Sequence, residues 1–344
     1  MQMQAVAKLQ AGPGADLIRT DVPTPGFGEV LVRVKAASIC GTDVHIYTWD
    51  PWARTRIQPP LIFGHEFAGE VVEVGPGVQR AKPGDYVSAE CHIVCNACTP
   101  CRTGNRHVCQ DYRIFGVDLN GCFAEYLTVP ESNLWWNPIS WDPAIAALQD
   151  PLGNAVHTVL SGPITGKTVL ICGCGPIGIL AAGVAKAAGA ALVIASDFNA
   201  YRLGLAQRMG ADIAIDLHES NLVEVVMRET RGQGVEVVLE MSGSPEAIHD
   251  GLSVLQNAGR LSLLGIPSQP VVLDLASEVV FKGVTVQGIT GRRMFETWHT
   301  VQGLLDSGRL DVRPVLTHSF ALHEFESAMQ TMLSGQSGKI TLIP

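Results

Sequence analysis

Four cysteines stand close together in the stretch CNACTPCRTGNRHVC, residues 95–109. Two residues separate Cys95 from Cys98 and Cys98 from Cys101, and seven separate Cys101 from Cys109. Thiolates at such short spacing can converge on one ion, and four of them leave no position open for water or a substrate. We therefore predict a structural zinc site in a lobe of about residues 91–111. An iron–sulfur cluster is the alternative, because four thiolates suit it as well.

Four further cysteines, Cys91, Cys122, Cys172 and Cys174, stand outside this spacing, and we expect buried or incidental thiols there. The chain has nine cysteines, an odd number, and its N-terminus MQMQAVAKLQAGPGAD shows no basic segment followed by an apolar core. We therefore expect neither a disulfide framework nor a signal peptide. These features predict a cytoplasmic protein.

Three glycines in VLICGCGPIGIL, Gly173, Gly175 and Gly178, have the spacing G-x-G-x-x-G. A strand-like run precedes them and a helix-like run follows, which is the context of a dinucleotide-binding loop. The first glycine makes the turn, the second admits a pyrophosphate, and the third lets helix and strand pack. The phosphates would then lie at the N-terminus of the helix.

The identity of the dinucleotide depends on two residues after the next strand. The carboxylate of Asp197 would accept hydrogen bonds from the ribose hydroxyls of NAD and would repel a 2′-phosphate, so NAD is the predicted cofactor. Arg202 leaves NADP as the alternative, since an arginine nearby can pair with that phosphate.

A second group of chemically capable residues lies in ASICGTDVHIYTWD and LIFGHEFAGEVVEVG. Its members are Cys40, Thr42, Asp43, His45, His65 and Glu66. Sulfur, nitrogen and carboxylate oxygen are the ligands of a catalytic zinc, which has three protein ligands and one open position. No local spacing requires these residues to meet, so a core cysteine and a hydrogen-bonded histidine remain the alternative.

The elements that must position these residues differ between the two halves of the chain. Up to about residue 150, short strand-like runs such as EVLVRVKAASIC, FAGEVVEVG, GDYVSAE and CFAEYLTVP alternate with Gly/Pro turns. From about residue 155, strands such as KTVLICG and LVIASD alternate with helices such as PIGILAAGVAKAAGA and PEAIHDGLSVLQNAG. This alternation predicts a doubly wound parallel sheet, and the fold class is α/β.

Composition excludes some classes of partner. The net charge is −9 and no run of lysine or arginine occurs, which argues against nucleic acid. The longest uncharged run, TVLICGCGPIGILAAGVA, contains several glycines and a proline, so a buried strand, turn and helix is favoured over a membrane span. A length of 344 residues favours two domains.

Several motifs together resemble one family. CGTDVHI, GHEFAGEVVEVG, the four-cysteine lobe and the glycine loop occur in the order found in the zinc-dependent medium-chain alcohol dehydrogenases, and the resemblance spans essentially the whole chain. It implies a β-rich GroES-like catalytic domain at 1–153, a Rossmann domain at 154–292 and a segment at 293–344 that returns to the catalytic domain. CGTDVHIYTWDPWA, PLGNAVHT, GRRMFETW and LLDSGRLDVRPVLTH resemble the branch of that family that oxidises L-threonine.

The resemblance also implies a ligand set and two zinc ions per chain. Cys40, His65 and Glu66 match the residues of the catalytic zinc. Asp150 stands where the family usually has glutamate before the proline of PLGNAVHT. Its side chain is one methylene shorter, so three arrangements stay open: Asp150 ligates zinc directly, it acts through water or through another ligand, or Glu66 takes its place. Asp43 is either a partner of a zinc ligand or an ordinary turn or cap residue.

The implied reaction is oxidation of the secondary alcohol of L-threonine to 2-amino-3-ketobutyrate, with hydride transfer to NAD. Thr42 would take the hydroxyl proton and pass it toward His45. His92 is expected either to line the substrate side or to be structural. The residues expected to contact the cofactor are Gly173, Gly175, Pro176, Ile177, Gly178, Asp197, Arg202, Leu264 and Ile266, with Ile289 and Thr290 near the nicotinamide ring.

Two other functions remain open. A polyol dehydrogenase of the same fold, acting on sorbitol or butanediol, shares most of the motifs. A non-catalytic zinc- and dinucleotide-binding sensor would keep the glycine loop and would need no open zinc position. The family resemblance also implies a homotetramer, with VTVQGIT as a candidate strand at a subunit edge.

Overall fold

The computed structural model describes residues 1–344, and the chain divides into two units. The first unit contains residues 1–150 together with residues 316–344, and the second contains residues 151–315. The strands are β1 (Gln2–Lys8), β2 (Asp16–Asp21), β3 (Glu29–Ser38), β4 (Leu61–Ile62), β5 (Glu66–Val74), β6 (Tyr86–Ala89), β7 (His92–Val94), β8 (Tyr112–Ile114), β9 (Tyr126–Pro130), β10 (Leu134–Trp136), β11 (Thr168–Cys172), β12 (Leu192–Asp197), β13 (Ile213–Asp216), β14 (Val235–Glu240), β15 (Leu255–Leu263), β16 (Thr285–Gly288), β17 (Leu316–Ala321) and β18 (Lys339–Ile343). The helices are α1 (Gly41–Thr48), α2 (Pro51–Arg56), α3 (Thr99–Arg102), α4 (Pro143–Ala146), α5 (Gln149–Val159), α6 (Pro176–Ala187), α7 (Ala200–Met209), α8 (Leu222–Glu229), α9 (Pro245–Val254), α10 (Glu296–Asp306) and α11 (Phe325–Leu333).

The first unit is built around strand β3, which is rich in valine and therefore suited to a strand. In its main sheet the strands follow the order β10-β6-β5-β3-β18-β17, and β9 also pairs with β3. Antiparallel pairing sets Ser38 of β3 opposite Glu66 of β5 and opposite Thr341 of β18. The residues just beyond these strand ends are consequently brought to one place.

The second unit has a six-stranded parallel sheet in the order β13-β12-β11-β14-β15-β16. This is the order of a doubly wound dinucleotide-binding fold, with a reversal between β11 and β14. The predicted α/β class and the parallel sheet are therefore confirmed. Ligands of such sheets bind beyond the carboxyl ends of the strands at this reversal.

Helix α9 is shorter than the sequence suggested. We predicted a helix through PEAIHDGLSVLQNAG, to residue 259, but α9 ends at Val254 and β15 begins at Leu255. Leu255 has extended backbone dihedrals, and Ala258 has a positive φ of 61°, which a helix does not tolerate. The apolar residues that suggested a longer helix instead begin a strand.

The C-terminal segment leaves the second unit later than expected. We placed this boundary at residue 293, whereas the chain returns to the first unit at Leu316. Leu310 explains the difference, because it packs against Gly183 of α6, where an added Cβ would lie 2.8 Å from its side chain. Trp298 of α10 is also buried, beside Gly153. Helix α10 therefore belongs to the core of the second unit.

No helix in the chain combines the length and the apolar character required to cross a bilayer.

Candidate active site

Cys40, His65 and Glu66 meet in the first unit. Their ligand atoms all lie within 4.8 Å of one another, which is the spacing of a metal site. The register of the sheet explains the meeting: Cys40 follows the end of β3, and His65 and Glu66 stand where β5 begins, opposite that end. His65 and Glu66 are buried, and Cys40 is partly exposed. This is a thiolate, imidazole and carboxylate set suited to zinc.

Asp43 caps helix α1 and lies close to the proposed zinc ligand His65. Its Oδ2 atom accepts a hydrogen bond of 2.8 Å from the backbone N–H of Cys40, which caps helix α1. Its Oδ1 atom lies 3.8 Å from Nδ1 of His65. Asp43 is fully buried, and this burial raises the pKa of its carboxyl to about 6, although His65 acts in the opposite direction. A carboxylate on this side of the ring would leave Nε2 of His65 to face a metal ion.

Glu66 forms a buried ion pair with Lys339. The ammonium group of Lys339 donates to Oε2 of Glu66 and, at 2.7 Å, to the carbonyl oxygen of Ile39. The hydroxyl of Ser38 donates to the same Oε2 atom. Oε1 of Glu66 is buried and has no hydrogen-bond partner. One oxygen of Glu66 is thus held by the protein, and the other is available to a cation.

Thr42 and His45 lie on α1, three residues apart and therefore on one face of the helix. The Sγ atom of Cys40 lies 3.8 Å from the hydroxyl oxygen of Thr42, so Thr42 stands directly beside the proposed ligands. The side chain of His45 is 56% exposed. The helix therefore connects the buried group with solvent.

The four-cysteine lobe is a separate site. The sulfur atoms of Cys95, Cys98, Cys101 and Cys109 lie within 4.8 Å of one another, and all four cysteines are free of disulfides. The Cys95–Cys109 and Cys98–Cys109 sulfur distances are 3.5 and 3.8 Å. Four sulfurs at about 2.3 Å from a tetrahedral zinc would be roughly 3.8 Å apart.

Backbone groups in the lobe support negative sulfur atoms. Backbone N–H groups of Ala97 and Cys98 point at the sulfur of Cys95, at 3.5 and 3.4 Å. The backbone N–H of Gln110, followed by that of Cys101, lowers the pKa of the Cys98 thiol to about 6. These contacts suit thiolates that surround a cation and leave no ligand position for a substrate.

The glycine loop has the geometry that a pyrophosphate requires. Gly173 turns the chain after β11 with a φ of 96°. A Cβ atom at Gly175 would meet nothing within 4 Å, whereas one at Gly178 would lie 2.0 Å from the carbonyl oxygen of Gly173. Pro176 occupies the first position of α6, and Ile177 follows it. The open side of Gly175 and the N-terminus of α6 therefore form a cradle for phosphate groups.

A cavity of about 440 Å³ lies at the carboxyl ends of the strands. Its lining includes Asp197, Phe198, Leu217, Leu222, Ser242 and Ala247. Asp197 ends β12, and its two oxygens accept hydrogen bonds from the backbone N–H groups of Cys174 and Asn199, at 2.6 and 2.8 Å. The lining does not include Arg202, which lies in the first turn of α7.

The remaining residues expected at the cofactor lie on the neighbouring loops. The backbone N–H of Leu264 donates to the carbonyl oxygen of Glu240, which joins the ends of β14 and β15. Ile266 is 89% exposed. Ile289 follows β16 and is buried, and Thr290 beside it is exposed. All of these residues therefore stand at the carboxyl end of the sheet.

Comparison with known proteins identifies the family. Residues 26–139 match the alcohol dehydrogenase GroES-like domain, and residues 176–307 match the zinc-binding dehydrogenase domain. The chain is 54% identical to L-threonine 3-dehydrogenase of Symbiobacterium thermophilum over 99% of its own length and 98% of the relative. The chain belongs to the zinc-binding alcohol dehydrogenase family.

Solved structures agree with this assignment. A structure described as a zinc-binding dehydrogenase from Sinorhizobium meliloti 1021, bound to NADP, has a TM-score of 0.92 at 29% identity, with full coverage of both chains. The 2R,3R-butanediol dehydrogenase of Bacillus subtilis has a TM-score of 0.90 at 28% identity, with 99% of each chain covered. The GroES-like and Rossmann parts of this zinc-binding alcohol dehydrogenase are therefore established.

In this family member, Asp150 is buried at the start of α5. It lies in the first turn of α5 and is 4% exposed. The group whose ligand atoms lie within 4.8 Å of one another contains Cys40, His65 and Glu66 and does not include Asp150. Whether Asp150 ligates zinc directly or acts indirectly stays a prediction.

His92 lies on β7 with its ring largely covered. Its Nδ1 atom is 2.8 Å from Oε1 of Glu90, and its ring contacts Tyr112 edge to face at 5.6 Å. These contacts hold the ring in place and are compatible with either of the roles considered for it. Cys91 beside it is buried, as are Cys122, Cys172 and Cys174, in agreement with the expectation for these thiols.

Sequence reasoning missed the partners of the proposed zinc ligands in this dehydrogenase. Lys339 lies 273 residues beyond Glu66, and Ser38 appeared only as part of a strand. The available signal was a single lysine at the start of the apolar segment KITLIP, where a charge must be paired if the strand is buried. This lysine predicts a buried cation, but nothing in the sequence shows that Glu66 is its partner.

Proposed function

We propose that the chain oxidises the secondary alcohol of L-threonine to 2-amino-3-ketobutyrate, with NAD as the hydride acceptor. One observation carries the proposal: the buried Cys40, His65 and Glu66 group occurs in a chain that is 54% identical, over nearly its whole length, to an L-threonine 3-dehydrogenase. The dinucleotide cradle in the second unit supports the same reaction.

The donor set fits zinc, because Oε1 of Glu66 is buried without a hydrogen-bond partner and Glu66 lies with His65 and Cys40 in one group of possible metal ligands. Zinc would supply a Lewis acid that makes the substrate hydroxyl more acidic, and the nicotinamide ring would supply the hydride acceptor. Asp43 places a buried carboxyl group 3.8 Å from Nδ1 of His65, and Lys339 compensates the charge of Glu66. The four-cysteine lobe would hold a second zinc with a structural role.

Thr42 and His45 provide a path for the proton of the substrate hydroxyl. The hydroxyl of Thr42 accepts this proton from the alcohol and passes its own toward the imidazole of His45. Because the ring of His45 is 56% exposed, it can release the proton to solvent. One proton leaves the site for each hydride transferred, so the charges balance.

Asp197 favours NAD over NADP. It lines the cavity at the carboxyl end of β12, where a 2′-phosphate would meet its negative charge. Initial rates with both dinucleotides at equal concentration measure this preference directly.

A substrate panel tests the proposal. Initial rates of NAD reduction with L-threonine, 2,3-butanediol and sorbitol should give the highest kcat/KM with L-threonine. A polyol dehydrogenase is the second candidate, favoured by the structural likeness to butanediol dehydrogenase, and it would prefer a diol. A sensor without catalysis would reduce no NAD with any alcohol and would bind one zinc per chain instead of two.

We also propose that the enzyme is a homotetramer that works in the cytoplasm. Strand β16 ends the parallel sheet, and an edge strand offers unpaired backbone groups to a second copy. Val286 on this strand is 38% exposed and Phe281 just before it is 80% exposed. Replacing Val286 by lysine should shift the mass measured by sedimentation toward smaller species. Thiolate ligands in the four-cysteine lobe suit a reducing compartment.

A further inference from the structure

His45 has a close carboxylate partner that the reaction described above does not use. Its Nδ1 atom lies 2.6 Å from Oδ2 of Asp50. The side chain of Asp50 is 28% exposed, half the exposure of the His45 ring at 56%. The indole of Trp52 meets the imidazole edge to face, with 6.0 Å between ring centroids. One side of the imidazole is therefore held, and the other side is free.

The chain between the two residues fixes Asp50 in this position. Helix α1 ends at Thr48, and the next residue, Trp49, has a left-handed backbone (φ 57°, ψ 48°) that turns the chain back. Asp50 then caps α2, because its Oδ1 atom accepts a hydrogen bond of 2.9 Å from the backbone N–H of Ala53. Oδ1 of Asp50 thus caps α2, and this contact orients the carboxylate so that Oδ2 faces the ring of His45.

Asp50 is set up to remain a carboxylate. Partial burial acts to raise its pKa, but the N–H of Ala53 and the ring of His45 outweigh that effect and hold the pKa below its usual value. An ionised carboxylate can only accept hydrogen bonds. The nitrogen that faces it must therefore carry a proton.

We propose that Asp50 is a positioning residue that fixes the tautomer of His45, with the proton on Nδ1 and the lone pair on Nε2. This inference rests on the proposed function, since it concerns the proton path from Thr42. Nε2 then accepts the proton that Thr42 passes on, the resulting imidazolium is stabilised by Asp50, and the exposed ring releases the proton from Nε2 to solvent. Without this tautomer preference, a fraction of the enzyme molecules would carry the hydrogen on Nε2 of His45, where the proton path requires an acceptor.

Two variants separate this role from the helix cap. Asp50→Asn keeps an oxygen for the Ala53 N–H but presents an amide N–H to Nδ1, which favours the wrong tautomer. Asp50→Ser also keeps an N-cap oxygen but is too short to reach the ring. A general acid or base typically contributes about 100- to 10,000-fold to the rate. The ring of His45 is half exposed, so water can also exchange its protons, and the part of this factor that depends on the tautomer is smaller. We expect kcat to fall about 10- to 100-fold in Asp50→Asn and less in Asp50→Ser, with zinc content and NAD affinity unchanged.

A double-mutant cycle with His45→Gln removes the structural explanation. If Asp50 acts through the tautomer, Asp50→Asn should change kcat by less than about twofold once His45 is absent. An equal loss in both backgrounds would show that Asp50 serves the fold alone and would overturn the proposal.

Nuclear magnetic resonance of [15N]histidine-labelled protein reads the tautomer without any turnover. The His45 signals are assigned by their absence from His45→Gln. At a pH near 9, above the ordinary imidazole range, the ring should carry its hydrogen on Nδ1 in the wild type and on Nε2 in Asp50→Asn. This result stands even if the protein fails to oxidise threonine, so failure of the proposed function is distinguishable. A wild-type ring with its hydrogen on Nε2 would refute the inference.

Discussion

Replacing Lys339 by methionine tests how the buried charges at the active site are balanced. Methionine retains much of the volume and apolar stem of lysine, so the main change is loss of the ammonium group. That group is the only cation that forms an ion pair with Glu66, and both side chains are almost completely buried, at 1% and 0% exposure. The variant would leave a carboxylate in the core with Ser38 as its remaining donor.

The expected cost follows from this burial. Breaking a buried ion pair by removing one partner typically costs about 3–5 kcal/mol, because the remaining charge is uncompensated. A domain of roughly 150–250 residues loses about 2–4 °C of melting temperature per kcal/mol, so the first unit should melt about 6–20 °C lower. Zinc would offset part of this loss, since a cation beside Oε1 of Glu66 replaces the missing charge. The destabilisation should therefore be larger after the zinc is removed with a chelator.

Calorimetry of four proteins would measure the effect: wild type, Lys339→Met, Glu66→Gln and the double variant, each with and without zinc. Glu66→Gln should rescue part of the loss in Lys339→Met, because a neutral amide requires no counter-charge. Lys8→Met is the matched control. Lys8 is also buried, at 2% exposure, but its ammonium group donates to the backbone carbonyls of Gly12 and Gly14. Its replacement leaves no buried carboxylate unpaired.

Two results would refute this reasoning. The first is a loss of stability in Lys339→Met that neither Glu66→Gln nor zinc changes, which would show that packing and not charge is responsible. The second is rescue of Lys8→Met by Glu66→Gln, which would show that the rescue is not specific to the ion pair. In both cases the loss of stability would not be due to the broken ion pair between Lys339 and Glu66.

Three further predictions concern the zinc and cofactor sites. Cys98→Ser should lower the melting temperature or the soluble yield, because zinc there contributes folding free energy, while folded protein keeps most of its turnover; an equally stable but inactive variant would contradict a structural role. Asp197→Ser should raise KM for NAD and weaken discrimination against NADP, and a wild-type preference for NADP would assign this selectivity to Arg202. Cys40→Ser should abolish hydride transfer and leave one zinc per chain with NAD still bound, and two zincs with full activity in this variant would exclude the proposed site. Asp150→Asn should lower metal affinity or activity by about 10–100-fold.

The second unit could be predicted from the sequence nearly element by element, because its strands and helices are separated by clear turn residues. The prediction failed where two elements join without such a residue. Leu255 continues the apolar pattern of α9, yet it begins β15. The return of the chain at Leu316 was not visible either, since it depends on the packing of Leu310 against Gly183. Local patterns do not carry information on such contacts.

The active site shows the same division between local and long-range information. The four cysteines and the glycine loop have fixed spacing within one segment, so their chemistry could be read directly. Cys40 and Glu66 meet only because the β3–β5 register sets Ser38 opposite Glu66, and a shift of one residue would turn Glu66 to the other face of the sheet.

The position of Lys339 depends on a third strand, because Lys339 lies on β18, which pairs with β3 beside Ser38. Nothing near Lys339 in the sequence indicates a carboxylate partner, so only the assembled sheet reveals the pair. The ammonium group of Lys339 on β18 compensates the carboxylate of Glu66, a proposed zinc ligand, so the charge balance of the site is complete only when β18 has docked. The zinc affinity of this site should accordingly depend on the docking of β18, which links metal binding to the closure of the first unit.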